Sequence, residues 1–217
     1  MADGKKTLIF DLDGTLLDSI EDIAVSMNKV LESLNLPIHK IEDYKYFVGS
    51  GIDVLVENAL GNHSQEIKDE ATKRFKIEYD GKLHLKTLPY NGIYDLLSEL
   101  KKMSYNISVL SNKPHELTVS YVNHFFKNYG FKEIHGQKTN VPKKPDPIAA
   151  INIAKALNIP CEEIYFVGDT KVDMQTAKNA GMKAIGVLWG FRDEKELKEF
   201  GADFIVEHPL DILNIIK

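Results

Sequence analysis

Cysteine is almost missing from the chain: Cys161 is the only one, so no disulfide can form within it and a cysteine cage for zinc is excluded. A reducing compartment, the cytoplasm, is the expected setting. Nowhere do about eighteen apolar residues run together, and Met1 to Lys6 lack the apolar stretch of a signal peptide, so we expect a soluble protein with no membrane partner. Excess positive charge is missing too. With a net charge of −5 and no cluster of Lys and Arg interleaved with aromatics, no nucleic-acid partner is expected. The seven histidines, at positions 39, 63, 84, 115, 124, 135 and 208, form no metal-type pair such as H-E-x-x-H and read as structural or exposed. What remains is the composition of a globular protein, 43% hydrophobic and 27% charged, with room for one sizeable core or a main domain with a modest insertion.

The chain is organised around Phe10-Asp11-Leu12-Asp13-Gly14-Thr15. The run Thr7-Leu8-Ile9-Phe10 reads as a buried parallel strand, which puts the acidic pair where its carboxyl end opens. Open α/β sheets place their chemistry there. Two carboxylates one residue apart could hold a divalent cation, or one could attack while the other moves a proton; an Asp-Gly turn after a strand is the plain alternative.

Asp18-Ser19 supplies a helix N-cap, and Ile20, Ile23, Ala24, Met27, Val30, Leu31 and Leu34 recur at helical spacing as far as Pro37. A second helix begins near Ile52 and a third runs from Gln65 to Tyr79. No strand is expected from Ser19 to about Leu85, so this stretch reads as an all-helical unit with connections at Gly14 to Asp18 and Lys86 to Gly92. Helix and strand then alternate, the signature of a parallel sheet covered on both faces. The expected helices are Ile93 to Met103, Pro114 to Phe126, Ile148 to Leu157, Lys171 to Ala180 and Leu210 to Ile216. The expected strands are Ile107 to Leu110, Glu133 to His135, Ile164 to Val167, Ala184 to Val187 and Phe204 to Val206. The fold class is therefore a doubly wound, Rossmann-like parallel sheet with an inserted helical domain: residues 1–15 and 86–217 as core, 16–85 as the insertion.

If the strands lie parallel, Asp11, Ser111 and Asp169 all fall just past carboxyl ends. Asp169 and Asp173, four apart at a helix start, are expected on one helical face. Acids gathered there repel unless a cation neutralises them, and Mg²⁺ is the usual choice where a phosphate shares its shell; a capping Asp followed by a solvated one is the alternative. Ser111 and Asn112 offer a hydroxyl and backbone donors for a phosphate oxygen if a helix starts there, though an ordinary N-cap serine fits equally. Lys144 lies in the stiff loop Pro142-Lys143-Lys144-Pro145-Asp146-Pro147 as a pre-positioned cation. Gly49-Ser50-Gly51 at a helix start suits a small carboxylate, or is simply a tight turn.

Asp11-Leu12-Asp13-Gly14-Thr15, Ser111-Asn112-Lys113, Lys144-Pro145-Asp146-Pro147 and Gly168-Asp169-Thr170-Lys171-Val172-Asp173 together resemble the four ordered motifs of the haloacid dehalogenase-like hydrolases. The helical stretch resembles that family's small cap domain. Tyr46 to Gly51 running into Val54 to Leu60, with Leu88 to Gly92, is similar to phosphoglycolate phosphatases, and the likeness extends to Val187 to Gly190 and Gly201 to Asp203. The resemblance implies a Mg²⁺-dependent phosphatase acting on a small phosphorylated metabolite. It implies Asp11 as nucleophile, Asp13 as acid and base, and Ser111 and Lys144 as holders of the phosphoryl group. It further implies Asp11, the Asp13 carbonyl, Asp169 and Asp173 around the metal, with the protein a monomer or homodimer. A β-phosphoglucomutase-like enzyme, a pyrophosphatase or a nucleotidase shares these motifs. A phospho-receiver domain gathers similar groups but in another motif order and without a cap.

Overall fold

The computed structural model describes residues 6–80 and 85–216, so His84 lies outside the described residues. Four apolar or β-branched residues form the first strand, β1 (Thr7–Phe10), and all four are buried. A two-residue strand β2 (Leu17–Asp18) leads into helices α1 (Ile20–Ser33), α2 (Ile41–Phe47), α3 (Ile52–Leu60) and α4 (Gln65–Asp80). Then come β3 (Leu88–Pro89), α5 (Ile93–Lys102), β4 (Asn106–Pro114), α6 (His115–Phe126), β5 (Glu133–Gln137), α7 (Ile148–Leu157) and β6 (Ile164–Gly168). The chain closes with α8 (Lys171–Ala180), β7 (Lys183–Val187), α9 (Glu194–Glu199), β8 (Phe204–Val206) and α10 (Ile212–Ile215).

Six strands form one parallel sheet in the order β5-β4-β1-β6-β7-β8. The chain starts at a central strand, travels outward to β4 and β5, and returns across β1 to β6. The order therefore reverses at β1, and a doubly wound sheet opens its crevice at the carboxyl end of such a strand. Side chains of β1 alternate between two cores: Leu8 and Phe10 join the cluster that includes α1 to α6, and Ile9 joins the cluster under α7 and α8. Buried residues of the four inserted helices, such as Met27, Leu55 and Phe75, belong to the same cluster as those on the first sheet face.

Most expected elements lie where the residue pattern puts them; the departures have local causes. Helices α2 and α9, seven and six residues long, were not expected, because each buries one residue, Tyr44 or Leu197, and so shows no helical stripe. The connections on either side of the inserted helices pair with each other as an antiparallel ribbon, Leu17 with Pro89 and Asp18 with Leu88. Ladders this short carry no period to read. Strand β4 continues past Leu110 to Pro114, because pairing with β5 resumes at Pro114 opposite Gln137 after a shift in register. Helix α6 consequently begins only at His115, and Ser111 and Asn112 lie in a strand, not at a helix start. The expected final helix divides into a 3₁₀ turn, Pro209–Asp211, and α10.

Ser19 stands at the N-cap position of α1, yet its hydroxyl does not cap the helix. It donates instead to Asp13 Oδ1 at 2.6 Å. Asp22, on the same helix, is buried and accepts from the backbone N–H groups of Lys86 and Thr87 and from the Thr87 hydroxyl. The entry to and exit from the inserted helices are thereby tied together. No helix among the described residues is long and apolar enough to cross a membrane.

Candidate active site

Asp11 follows β1 directly, and its N–H continues the ladder by donating to Val167 O at 2.9 Å. The chain then turns at Gly14, whose φ is +86° and where any Cβ would lie 2.3 Å from Asp169 Oδ2. Only glycine meets both demands. Gly190 approaches Asp169 from the other side, a Cβ there falling 2.3 Å from Asp169 Cβ. Wedged between two glycine backbones, the Asp169 carboxylate accepts from Thr15 Oγ1 and from the Phe191 N–H, both at 2.9 Å.

Thr170, not Asp169, is the N-cap of α8, so Asp169 precedes the helix and only Asp173 lies on it. The two acids are therefore not a pair on one helical face. Asp173 Oδ2 accepts from the Thr170 N–H at 3.1 Å and hydroxyl at 2.8 Å, while Oδ1 accepts from Lys144 Nζ at 2.6 Å. The same ammonium lies 2.9 Å from Asp11 Oδ1.

Asp11, Asp169 and Asp173 are buried and each offers one oxygen within 4.8 Å of the others. Three buried carboxylates thus stand together, and two of them bond one ammonium. Burial, then the Asp173 charge, push the Asp11 carboxyl up to about 7, against the pull of Lys144. Burial, then Asp173 and Asp11, raise Asp169 well above its ordinary value, against the Phe191 N–H and the Thr15 hydroxyl. Lys144 responds in the opposite sense: burial disfavours its charge, but Asp11 and Asp173 outweigh burial and raise its affinity for the proton. An all-oxygen donor set with surplus negative charge suits a hard divalent cation such as Mg²⁺. The group fits the residues present.

Asp13 faces a different set of partners. Lys113 Nζ lies 3.1 Å from each of its carboxylate oxygens, and Ser19 bonds one of them. Ser111 is buried at the same rim, its hydroxyl accepting from the Lys113 N–H at 3.2 Å. The Asn112 side chain has a structural task. Its amide donates to Lys144 O at 3.1 Å and to Gly49 O at 3.0 Å, and its oxygen accepts from the Lys144 N–H at 2.9 Å. It therefore clamps the backbone of Lys144 and fastens the Gly49 turn to the sheet. Gly49 and Gly51 both have positive φ, with half-buried Ser50 between them, and Gly51 precedes α3. Lys143, next to Lys144, turns away and pairs with Asp53 at 2.7 Å.

The haloacid dehalogenase-like hydrolase family model matches residues 8–187. The chain belongs to that family. This haloacid dehalogenase-like hydrolase is 32% identical over 208 residues to a phosphoglycolate phosphatase of Pseudomonas savastanoi pv. phaseolicola, covering 93% of this chain and 76% of the relative. A phosphoglycolate phosphatase of Vibrio parahaemolyticus is 28% identical, with 97% and 96% covered. Among solved structures, a candidate phosphoglycolate phosphatase from Lactobacillus delbrueckii subsp. bulgaricus superposes with a TM-score of 0.93 at 31% identity, over 98% of both chains. The chain is a phosphoric monoester hydrolase on an α/β Rossmann-like fold.

Sequence reasoning assigned no separate role to Thr15, Tyr79, Lys113 or the Phe191 N–H. Lys113 adjoins Ser111 and Asn112 in one quoted motif, which was signal enough to ask what it touches. Tyr79, four residues after Phe75 on α4, looks like core from its spacing, and Phe191 enters through its backbone, which no side-chain pattern reveals.

Proposed function

We propose that this hydrolase removes phosphate from phosphoglycolate by way of an aspartyl-phosphate on Asp11, with Mg²⁺ held by Asp11, the Asp13 carbonyl, Asp169 and Asp173. The observation that carries this reading is the buried group of Asp11, Asp169 and Asp173 at the carboxyl edge of the sheet, with Lys144 bonded to Asp11 and Asp173. Residues 1–15 and 86–217 serve as the catalytic core and 16–85 as a cap over it.

Asp11 attacks phosphorus, the bond from phosphorus to the ester oxygen breaks, and the electron pair leaves on that oxygen, which takes a proton from Asp13. Asp13 then takes a proton from water as the water oxygen attacks the phosphorus, releasing phosphate and restoring the Asp11 carboxylate. Ser111 and Lys144 hold phosphoryl oxygens, and the ammonium lessens repulsion between Asp11 and the phosphate. Bound Mg²⁺ supplies charge stabilisation for the transferring group. Asn112 keeps Lys144 in place through its backbone. Each part is needed, because phosphate-monoester hydrolysis requires accelerations approaching ~10²¹, whereas acid-base catalysis alone supplies about 10²–10⁴.

The relatives named as phosphoglycolate phosphatases support the choice of substrate. The test is hydrolysis of a panel of phosphorylated metabolites with and without Mg²⁺. Preference for phosphoglycolate, lost in EDTA and restored by Mg²⁺, is expected; preference for pyrophosphate, a nucleotide or a sugar phosphate, or activity indifferent to Mg²⁺, overturns the reading.

A further inference from the structure

The cleft between the sheet rim and the inserted helices leaves about 60 Å³ of space for a small molecule or water. It is walled largely by apolar side chains such as Ile52, Leu55 and Phe75, and Lys113 is the one cationic side chain among its described lining residues. The Lys113 side chain is only 4% exposed. Its ammonium lies 4.6 Å from the centroid of the Tyr79 ring and 4.4 Å from that of Tyr121, an arrangement that accommodates a cation without neutralising it.

Lys113 Nζ donates to both oxygens of Asp13 and to the Tyr79 hydroxyl, the last at 2.6 Å. That hydroxyl also accepts from Tyr121 Oη at 3.2 Å. A phenol that accepts twice still has its own O–H to give. Among the described residues, the one acceptor within reach of the Tyr79 O–H itself is Tyr121 Oη, at a long 3.2 Å, although the side chain is buried and lines the cleft. A buried ammonium and a buried, weakly engaged phenol thus border one small cavity beside Asp13, Lys113 from β4 and Tyr79 from α4.

We propose that Lys113 and Tyr79 form the seat for a second, non-transferred anionic group of the substrate, a carboxylate one carbon from the ester oxygen. This deepens the phosphoglycolate reading and rests on it. With the phosphoryl group seated against Asp11, Ser111 and Lys144, a short acid extends past Asp13 toward this pair. The carboxylate accepts the Tyr79 O–H and shares the Lys113 ammonium with Asp13. The cavity's size restricts the seat to small acids, and its apolar walls leave a neutral tail without compensation for the displaced water.

The test is calorimetric binding in Mg²⁺ buffer, which requires no turnover. The two ligands are 3-phosphonopropionate, which carries the carboxylate, and propylphosphonate, which has a methyl in its place. The wild-type protein is expected to favour the carboxylate ligand by about tenfold or more, as suits a hydrogen bond to a charged group. Lys113→Gln is expected to bring the two ligands within about twofold of each other, and Tyr79→Phe, which spares the ammonium, to cut the preference by about threefold. Preference retained in both variants overturns the seat while the phosphoglycolate reading stands. A wild-type protein that does not distinguish the ligands overturns both.

Discussion

The sheet rim and the inserted helices border one cleft by contrasting means. At the rim, Asp11, Lys144, Asp169 and Asp173 are buried and fixed by short bonds between groups held in their turn by β1, β4, β6 and two glycine turns. The helices meet the rim through scattered contacts: Asn112 on Gly49 O, Arg192 on the carbonyls of Lys45 and Val48, and Lys113 and Tyr121 on the Tyr79 hydroxyl. The ion pairs across this side, Lys143 with Asp53 and Lys86 with Glu21, leave their acids 72% and 48% exposed. Dense side-chain bonding suits a site whose atoms must stay in register within a fraction of an ångström, whereas a seam of few polar contacts suits a surface that opens and closes. On the proposed reading, the side that does the chemistry is held by denser bonding than the side that recognises the substrate.

Substitutions on the two sides should separate these roles, the largest effect coming from the rim. Asp11→Asn should lower turnover by roughly 10⁴- to 10⁶-fold with circular dichroism and melting temperature little changed, because it removes the attacking oxygen and leaves the ladder intact. Near wild-type activity would remove Asp11 from the mechanism. Lys144→Met should destabilise the metal-free protein by about 3–5 kcal/mol, since it leaves buried carboxylates without a cation, and added Mg²⁺ should recover part of that loss in denaturant melts. A Mg²⁺ effect no larger than in the wild type would mean that metal and ammonium do not serve the same charges.

On the helical side the signature should be substrate-dependent. Gly49 has φ +111°, which a β-branched residue resists, so Gly49→Val displaces the turn that Asn112 holds. KM for phosphoglycolate should rise about tenfold more than KM for an aryl phosphate. Equal rises would assign the turn to structure alone.

The smallest effect is expected away from both regions, at the pair of Asp203 with Lys178. Partial burial raises the Asp203 carboxyl, but the Lys178 ammonium and the Ala184 N–H outweigh it and hold the group below its usual 3.8. A lowered carboxyl stabilises the fold above the unfolded value and loses that contribution as pH falls through the folded one. Asp203→Asn should therefore cost about 0.2–1 kcal/mol at neutral pH and progressively less as pH falls below the usual carboxylate range, read from urea midpoints across that range. A cost comparable to that of Lys144→Met would erase the contrast between buried and exposed charge.

How much of this was legible beforehand follows the same division. β1, β6, α7 and α8 carry strong patterns, an all-apolar strand or a stripe at helical spacing, and their ends carry the acids, so the rim could be read from residues alone. The helices between were legible only where they were long: α1 and α4 show stripes, while α2, with Tyr44 alone buried, does not. The contacts joining the two sides were not legible, because they depend on where chain segments about a hundred residues apart come to rest. Lys143 with Asp53 is one, a pair 90 residues apart in sequence. Ser19 was misread for a related reason, since an acceptor supplied by the fold, Asp13, took its hydroxyl from the cap role that local sequence suggests.

The central claim is that Asp11 carries the phosphoryl group between substrate and water. Protein quenched in acid during turnover of phosphoglycolate with Mg²⁺, reduced with borohydride and digested for mass spectrometry, reports on it directly, because an acyl phosphate is reduced to an alcohol while a free carboxylate is not. Homoserine at position 11, absent without substrate, is the predicted result; an unmodified Asp11, or reduction at Asp13, Asp169 or Asp173 instead, would contradict it.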